Sequence, residues 1–170
     1  MVLGKANKVL YGKGYIEDVL CGCRFRISPE SFYQINPSQT EKLYKTAIRL
    51  GGITKNDVVI DAYCGIGTIS LFLARSAKKV YGVEIIPAAI EDARGNAARN
   101  GLDNTEFFVG KAEEVLPDYY EEYAKTHGGE KARADVIVVD PPRKGCDETL
   151  LETIVKLSLI HISEPTRRVV

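Results

Sequence analysis

The chain has 170 residues, 45% hydrophobic and 27% charged, the size and composition of one ordinary globular domain, which argues against a disordered chain. Lys plus Arg and Asp plus Glu each number 23, so the formal net charge is zero; no global positive field marks a nucleic-acid partner, although a local patch can still carry one. Four cysteines, at positions 21, 23, 64 and 146, fit neither a disulfide-stapled secreted fold nor a paired C-x-x-C metal site, and Cys21-x-Cys23 alone is a weak metal signal. No apolar run reaches the length of a signal-peptide core or a membrane span, so a soluble, cytoplasmic setting without a membrane partner is expected.

In residues 1–33 the runs Val9-Leu10-Tyr11 and Phe25-Arg26-Ile27 alternate well enough for two short strands or a hairpin and show no helical period. This stretch reads as a β appendage, with 1–35 forming the appendage and its connection. Asn36-Pro37-Ser38-Gln39 then supplies an N-cap, a proline at the first helical position and a glutamine three residues after the cap, predicting a helix over 37–50. From Asp57 onward short β-branched runs alternate with helical periods: 58–60 then 67–77, 79–83 then 87–100, 105–109 then 112–125, and 135–139 then 147–157. Four βα units with strands as apolar as Val136-Ile137-Val138-Val139 predict a doubly wound α/β fold with a mostly parallel sheet, covering 36–157. Ligands of such sheets bind beyond the carboxyl ends of the strands. Residues 126–131 read as a polar loop, and the two histidines, His127 and His161, have no metal-helix spacing and are poor catalytic candidates.

The strand ends carry the chemistry. Val58-Val59-Ile60-Asp61-Ala62-Tyr63-Cys64-Gly65-Ile66-Gly67-Thr68 places a carboxylate at the end of the first strand and a glycine turn before a helix, where Gly65 and Gly67 allow close approach of a ligand. A dinucleotide fingerprint would want glycine at position 70, where this chain has Ser70, and an acidic strand end suits a cationic ligand better than a pyrophosphate. Glu84 closes the second strand, where an acidic side chain can accept both hydroxyls of an adenosine ribose. Acid-G-x-G followed by this Glu resembles the arrangement of S-adenosylmethionine-dependent methyltransferases. After the fourth strand comes Asp140-Pro141-Pro142-Arg143-Lys144-Gly145; two prolines fix a rigid turn and hold Asp140 at the mouth of the crevice, with Arg143 and Lys144 as local phosphate contacts or as plain surface charge.

With Phe32-Tyr33-Gln34-Ile35-Asn36, Asp61 to Thr68, Val83-Glu84 and Asp140-Pro141-Pro142-Arg143, the chain resembles, from about Leu10 to Leu157, the bacterial RNA (uracil-5-)-methyltransferases. The branch that methylates 23S ribosomal RNA is the expected one, and the sister group acting on transfer RNA the less expected. The resemblance implies that S-adenosyl-L-methionine is the cofactor and that Gln34, Tyr63, Glu84 and Asp140 contact it. The residue pattern agrees for Glu84, adds Asp61, Gly65 and Gly67, and would not have found Gln34; Tyr63 on pattern alone is equally a core residue.

The family's chemistry, again by resemblance, adds a cysteine thiolate to uracil C6, makes an enolate whose C5 takes the methyl group, and ends with proton removal from C5 by a carboxylate base. In the family the cysteine sits in an S-C-x-P motif after the fifth strand, with the Glu base later. Neither motif occurs in this sequence, and 158–170 does not read as a fifth strand, so a sheet incomplete at its C-terminus, an atypical tail and no catalytic residue are expected; Glu164 is not promoted to base. Cys64 reads as structural, and Cys146 is the only replacement nucleophile worth testing. The oligonucleotide-binding barrel common in relatives is expected to lie outside these residues, which offers one explanation for their neutral charge. Two other readings stay open: a methyltransferase acting on nitrogen of RNA or protein, against which Arg143 stands where an aromatic is usual, and a noncatalytic cofactor-binding segment.

Overall fold

The computed structural model describes residues 7–29, 31–126, 128, 134–141, 145–156 and 160–163. The elements in chain order are β1 (Ile16–Leu20), β2 (Cys23–Ile27), α1 (Pro37–Gly51), β3 (Val58–Asp61), α2 (Thr68–Ala74), β4 (Lys79–Glu84), α3 (Pro87–Arg99), β5 (Thr105–Val109), α4 (Ala112–Thr126), β6 (Val136–Val139), α5 (Glu148–Lys156) and β7 (Ile160–Ser163). The helix predicted from Asn36 starts as expected, with the Asn36 side chain accepting from the Gln39 amide and Pro37 in the first turn.

The main sheet has the order β5-β4-β3-β6-β7 with every pairing parallel. Strand side chains alternate between two cores. Ile60, Val83, Ile137 and Val139 pack with Leu116, Leu150 and Ile154 of α4 and α5, while Val59, Val80, Val136 and Val138 pack with Leu73 and Ala74 of α2. The apolar run of β6 is thus apolar because both its faces are covered. The chain leaves β3 toward β4 and β5, then returns through α4 to place β6 on the opposite side of β3, so the order reverses between β3 and β6 and a crevice opens at their carboxyl ends.

Two expectations are corrected. A fifth parallel strand, β7, pairs Ile160 with Val136 and Ser163 with Val139, although 158–170 was read as lacking one; Ile160-His161-Ile162-Ser163 is short and half polar, too brief a run to outweigh the turn and charge residues after it. The expected amino-terminal hairpin is present, but its first strand is Ile16–Leu20 rather than Val9–Tyr11, and it is packed into the core. Leu20, Cys23, Phe25 and Ile27 are buried in one cluster with Ile66, Leu71, Ile90 and Ala93. The β1–β2 turn has Cys21 at φ 53° and Gly22 at φ 74°, the left-handed pair that matches the twist of a two-residue hairpin, so Cys21 serves the turn and Cys23 the core.

Candidate functional site

Register brings the acidic strand ends together. Asp61 pairs with Gly82 on β4 and with Val138 on β6, so Glu84 and Asp140 each lie two residues beyond its ladder partners, on either side of it at the same end of the sheet. The three carboxylates feel one another: Asp140 and Glu84 both push the Asp61 carboxyl toward its neutral form.

Asp61 is fully buried. Burial, then the neighbouring carboxylates, raise its pKa from 3.8 to about 7, against the opposing effects of Ser70 and the Tyr63 amide. The Ser70 hydroxyl donates to Asp61 Oδ2, whereas Oδ1 is buried with no hydrogen-bond donor. Ser70 stands where a third glycine would be in a dinucleotide fold, and its purpose is this bond. An orphaned buried carboxylate oxygen beside two more carboxylates is an environment a cation relieves.

The turn between β3 and α2 is bounded by two left-handed glycines, Gly65 at φ 53° and Gly67 at φ 83°. A Cβ at Gly65 would meet nothing within 4 Å, so that edge is open, while one at Gly67 would lie 2.9 Å from Leu71 and 3.3 Å from Ala93. One glycine gives access and the other gives close packing. Glu84 reaches back to this turn: its Oε2 accepts from the Gly65 amide at 3.2 Å and its Oε1 from the Ile86 amide at 3.0 Å. A carboxylate has about four acceptor sites, so two remain for ligand hydroxyls.

Tyr63 is half-buried against the α4/α5 core, and burial first, then the neighbouring Cys146, push its pKa up to about 12. Asp140 is exposed at the end of β6. Gln34 is half-buried in the segment entering α1, and α1 is tied to the glycine turn by the Tyr44 hydroxyl donating to Thr68 Oγ1 at 3.1 Å. The structure therefore unites Asp61, Tyr63, Gly65, Gly67, Glu84 and Asp140 at one end of the sheet and links the Gln34 segment to it through α1. Pro142, Arg143, Lys144, His127 and Glu164 lie outside the described residues. Sequence reasoning missed Tyr44 and Asn96, whose only signal is polar character on a helix.

Burial raises all four thiols, Cys21, Cys23, Cys64 and Cys146, above their ordinary value, Cys21 to about 11. For Cys146 the neighbouring Tyr63 pulls the other way without overcoming burial. None is an activated thiolate. Among the described residues no three metal-ligating side chains are arranged so that they could hold a metal ion, and no helix is long and apolar enough to cross a membrane.

Among solved structures, the tRNA (uracil-54, C5)-methyltransferase of Pyrococcus abyssi, in complex with S-adenosyl-L-homocysteine, superposes with a TM-score of 0.68 at 27% identity over 90% of this chain and 35% of that one. Methanocaldococcus jannaschii TYW2 in complex with AdoMet, at 21% identity and a TM-score of 0.60 over 90% of this chain and 62% of its own, shares the fold. Curated relatives include uncharacterized RNA methyltransferases of Oceanobacillus iheyensis, 55% identical over 96% of this chain and 34% of its own length, and of Listeria innocua, 56% identical over 92% and 33%. The chain thus spans about a third of the length of these relatives. The family match covers residues 2–165, which extends the likeness beyond Leu10–Leu157 and takes in β7. With that match and these relatives, the chain belongs to the tRNA (uracil-5-)-methyltransferase family.

Proposed function

We propose that the strand-end crevice binds S-adenosyl-L-methionine and that this segment serves methyl transfer to C5 of a uridine in RNA, 23S ribosomal RNA being the substrate. The observation that carries the reading is the convergence of Asp61, Glu84 and Asp140 on an open Gly65 edge in a chain of this family. The donor set suits the cofactor: Glu84 keeps free acceptors for the ribose hydroxyls and Asp61 and Asp140 favour its cationic end, while Tyr63 and Gln34 are assigned to it by the family resemblance. When bound, the cofactor supplies an electrophilic methyl group.

The residues of this chain then act by position and charge. Glu84 clamps the turn while facing the ligand, and the Ser70 bond keeps Asp61 aimed beneath it. Burial holds all four thiols above their ordinary value, so none of them is proposed as the thiolate that adds to uracil; by the family resemblance that step belongs to the S-C-x-P cysteine, which is not among these residues. The 23S assignment rests on the sequence resemblance alone. The same thiol chemistry supports the second reading, a cofactor-binding segment with no turnover of its own.

The test is methyl transfer from labelled S-adenosylmethionine to unmodified 23S ribosomal RNA and transfer RNA, with nucleoside analysis. 5-Methyluridine in 23S RNA is the expected product. The same nucleoside in transfer RNA alone would overturn the substrate assignment and keep the chemistry. N-methylated product would overturn the chemistry, and cofactor binding without transfer would favour the second reading.

A further inference from the structure

We infer that Asn96 is a positioning residue for the glycine turn: its side-chain amide holds the Ile66 carbonyl and so presets the Gly65-Ile66-Gly67 backbone for the ligand. This rests on the reading of that turn as part of the cofactor site. Asn96 sits within α3 with none of its surface exposed, a poor choice for helix propensity or for an apolar core. Its Nδ2 donates to the Ile66 carbonyl at 3.2 Å and to the Arg26 carbonyl at 3.1 Å. Its Oδ1 accepts from the Arg26 amide at 2.7 Å and from Arg99 Nη1 at 2.9 Å. Both donors and both acceptor sites are used, so the amide is fixed in one orientation. Two left-handed glycines flanking Ile66 give the turn many alternative shapes. A buried partner on the carbonyl between them removes most of these before a ligand arrives, and that lowers the ordering cost of binding.

Asn100, one helical turn on, provides the comparison. Its side chain makes the same pair of bonds to the hairpin, with the Arg24 amide at 2.8 Å and the Arg24 carbonyl at 2.7 Å. Its remaining side-chain bond is to the Asn96 carbonyl, and none goes to the glycine turn. A merely structural clamp predicts that the two asparagines behave alike.

The experiment is calorimetric titration of S-adenosylhomocysteine into wild type, Asn96→Ala and Asn100→Ala, together with backbone amide hydrogen exchange in the ligand-free proteins. Asn96→Ala is expected to weaken binding at least tenfold and to speed exchange at residues 65–67. Asn100→Ala is expected to speed exchange in the hairpin, to leave 65–67 unchanged and to bind within twofold of wild type. Equal shifts in affinity and in exchange at the turn for both variants would overturn the inference. If Asn96→Ala does not fold, Arg99→Ala, an exposed residue that reaches the turn only through Asn96, takes its place: a twofold to fivefold loss of affinity with faster exchange at 65–67 is expected, and no change in either overturns the inference. Failure of folded wild type to bind would sink the cofactor reading, and exchange at 65–67 would still decide the role of Asn96.

Discussion

Two buried polar side chains flank one glycine turn and are treated in opposite ways. On the α3 side, Asn96 has every donor and acceptor satisfied; on the strand-end side, Asp61 is equally buried and keeps one oxygen with no donor at all. A satisfied network rigidifies, whereas an unsatisfied one is a reserve of unfavourable energy that a ligand can relieve. The turn therefore has a fixed flank that gives it shape and an expectant flank that gives it affinity. Glu84 is intermediate, half of its capacity spent on the Gly65 and Ile86 amides and half left over.

The most disruptive way to break the contrast is on the fixed flank. Gly67→Ala puts a Cβ into Leu71 and Ala93 at a left-handed φ, and should cost about 3 kcal/mol in urea-monitored unfolding; Gly65→Ala, which meets open space, should cost about 1 kcal/mol for its φ alone. Equal losses for the two would mean that the turn is packed alike on both edges.

The expectant flank is sharpened by pH. The folded pKa of Asp61, about 7, lies above its ordinary value of 3.8, so the folded state holds a proton that the unfolded state has released. Stability is fully present below the unfolded value and is lost as pH rises through the folded one. Between pH 5 and pH 8 wild type should lose about 3 kcal/mol more than Asp61→Asn in denaturant unfolding, at about 1.4 kcal/mol per unit. Parallel pH profiles would show that the carboxylate is not strained. The smallest effect is expected at the rim, where Tyr63→Phe removes only a hydroxyl beside Cys146 and should lower stability by about 1 kcal/mol or less.

How much of this was legible in the sequence varies with the range of the interaction. The α1 cap, the alternating βα units and the carboxylates at strand ends are local patterns, and the structure keeps them within a few residues. Register is not local: nothing near Asp61 in sequence says that Gly82 and Val138 will stand beside it. The hairpin was expected, but its docking was not legible for a similar reason. Its docking combines the burial of Leu20, Cys23, Phe25 and Ile27 with bonds from Asn96 and Asn100 on α3, and a polar residue on a helix reads as solvent-facing until its partner strand is known. Gln34 came only from family resemblance, because a polar residue before an N-cap carries no signal of its own.

The central claim is that this strand-end crevice is a cofactor site, and calorimetric titration of S-adenosylmethionine into the chain and into Glu84→Ala tests it most directly. Saturable one-to-one binding by wild type is predicted, weakened about 30-fold or more in the variant, about 2 kcal/mol. Folded wild type that does not bind, or a variant that binds equally well, would contradict it.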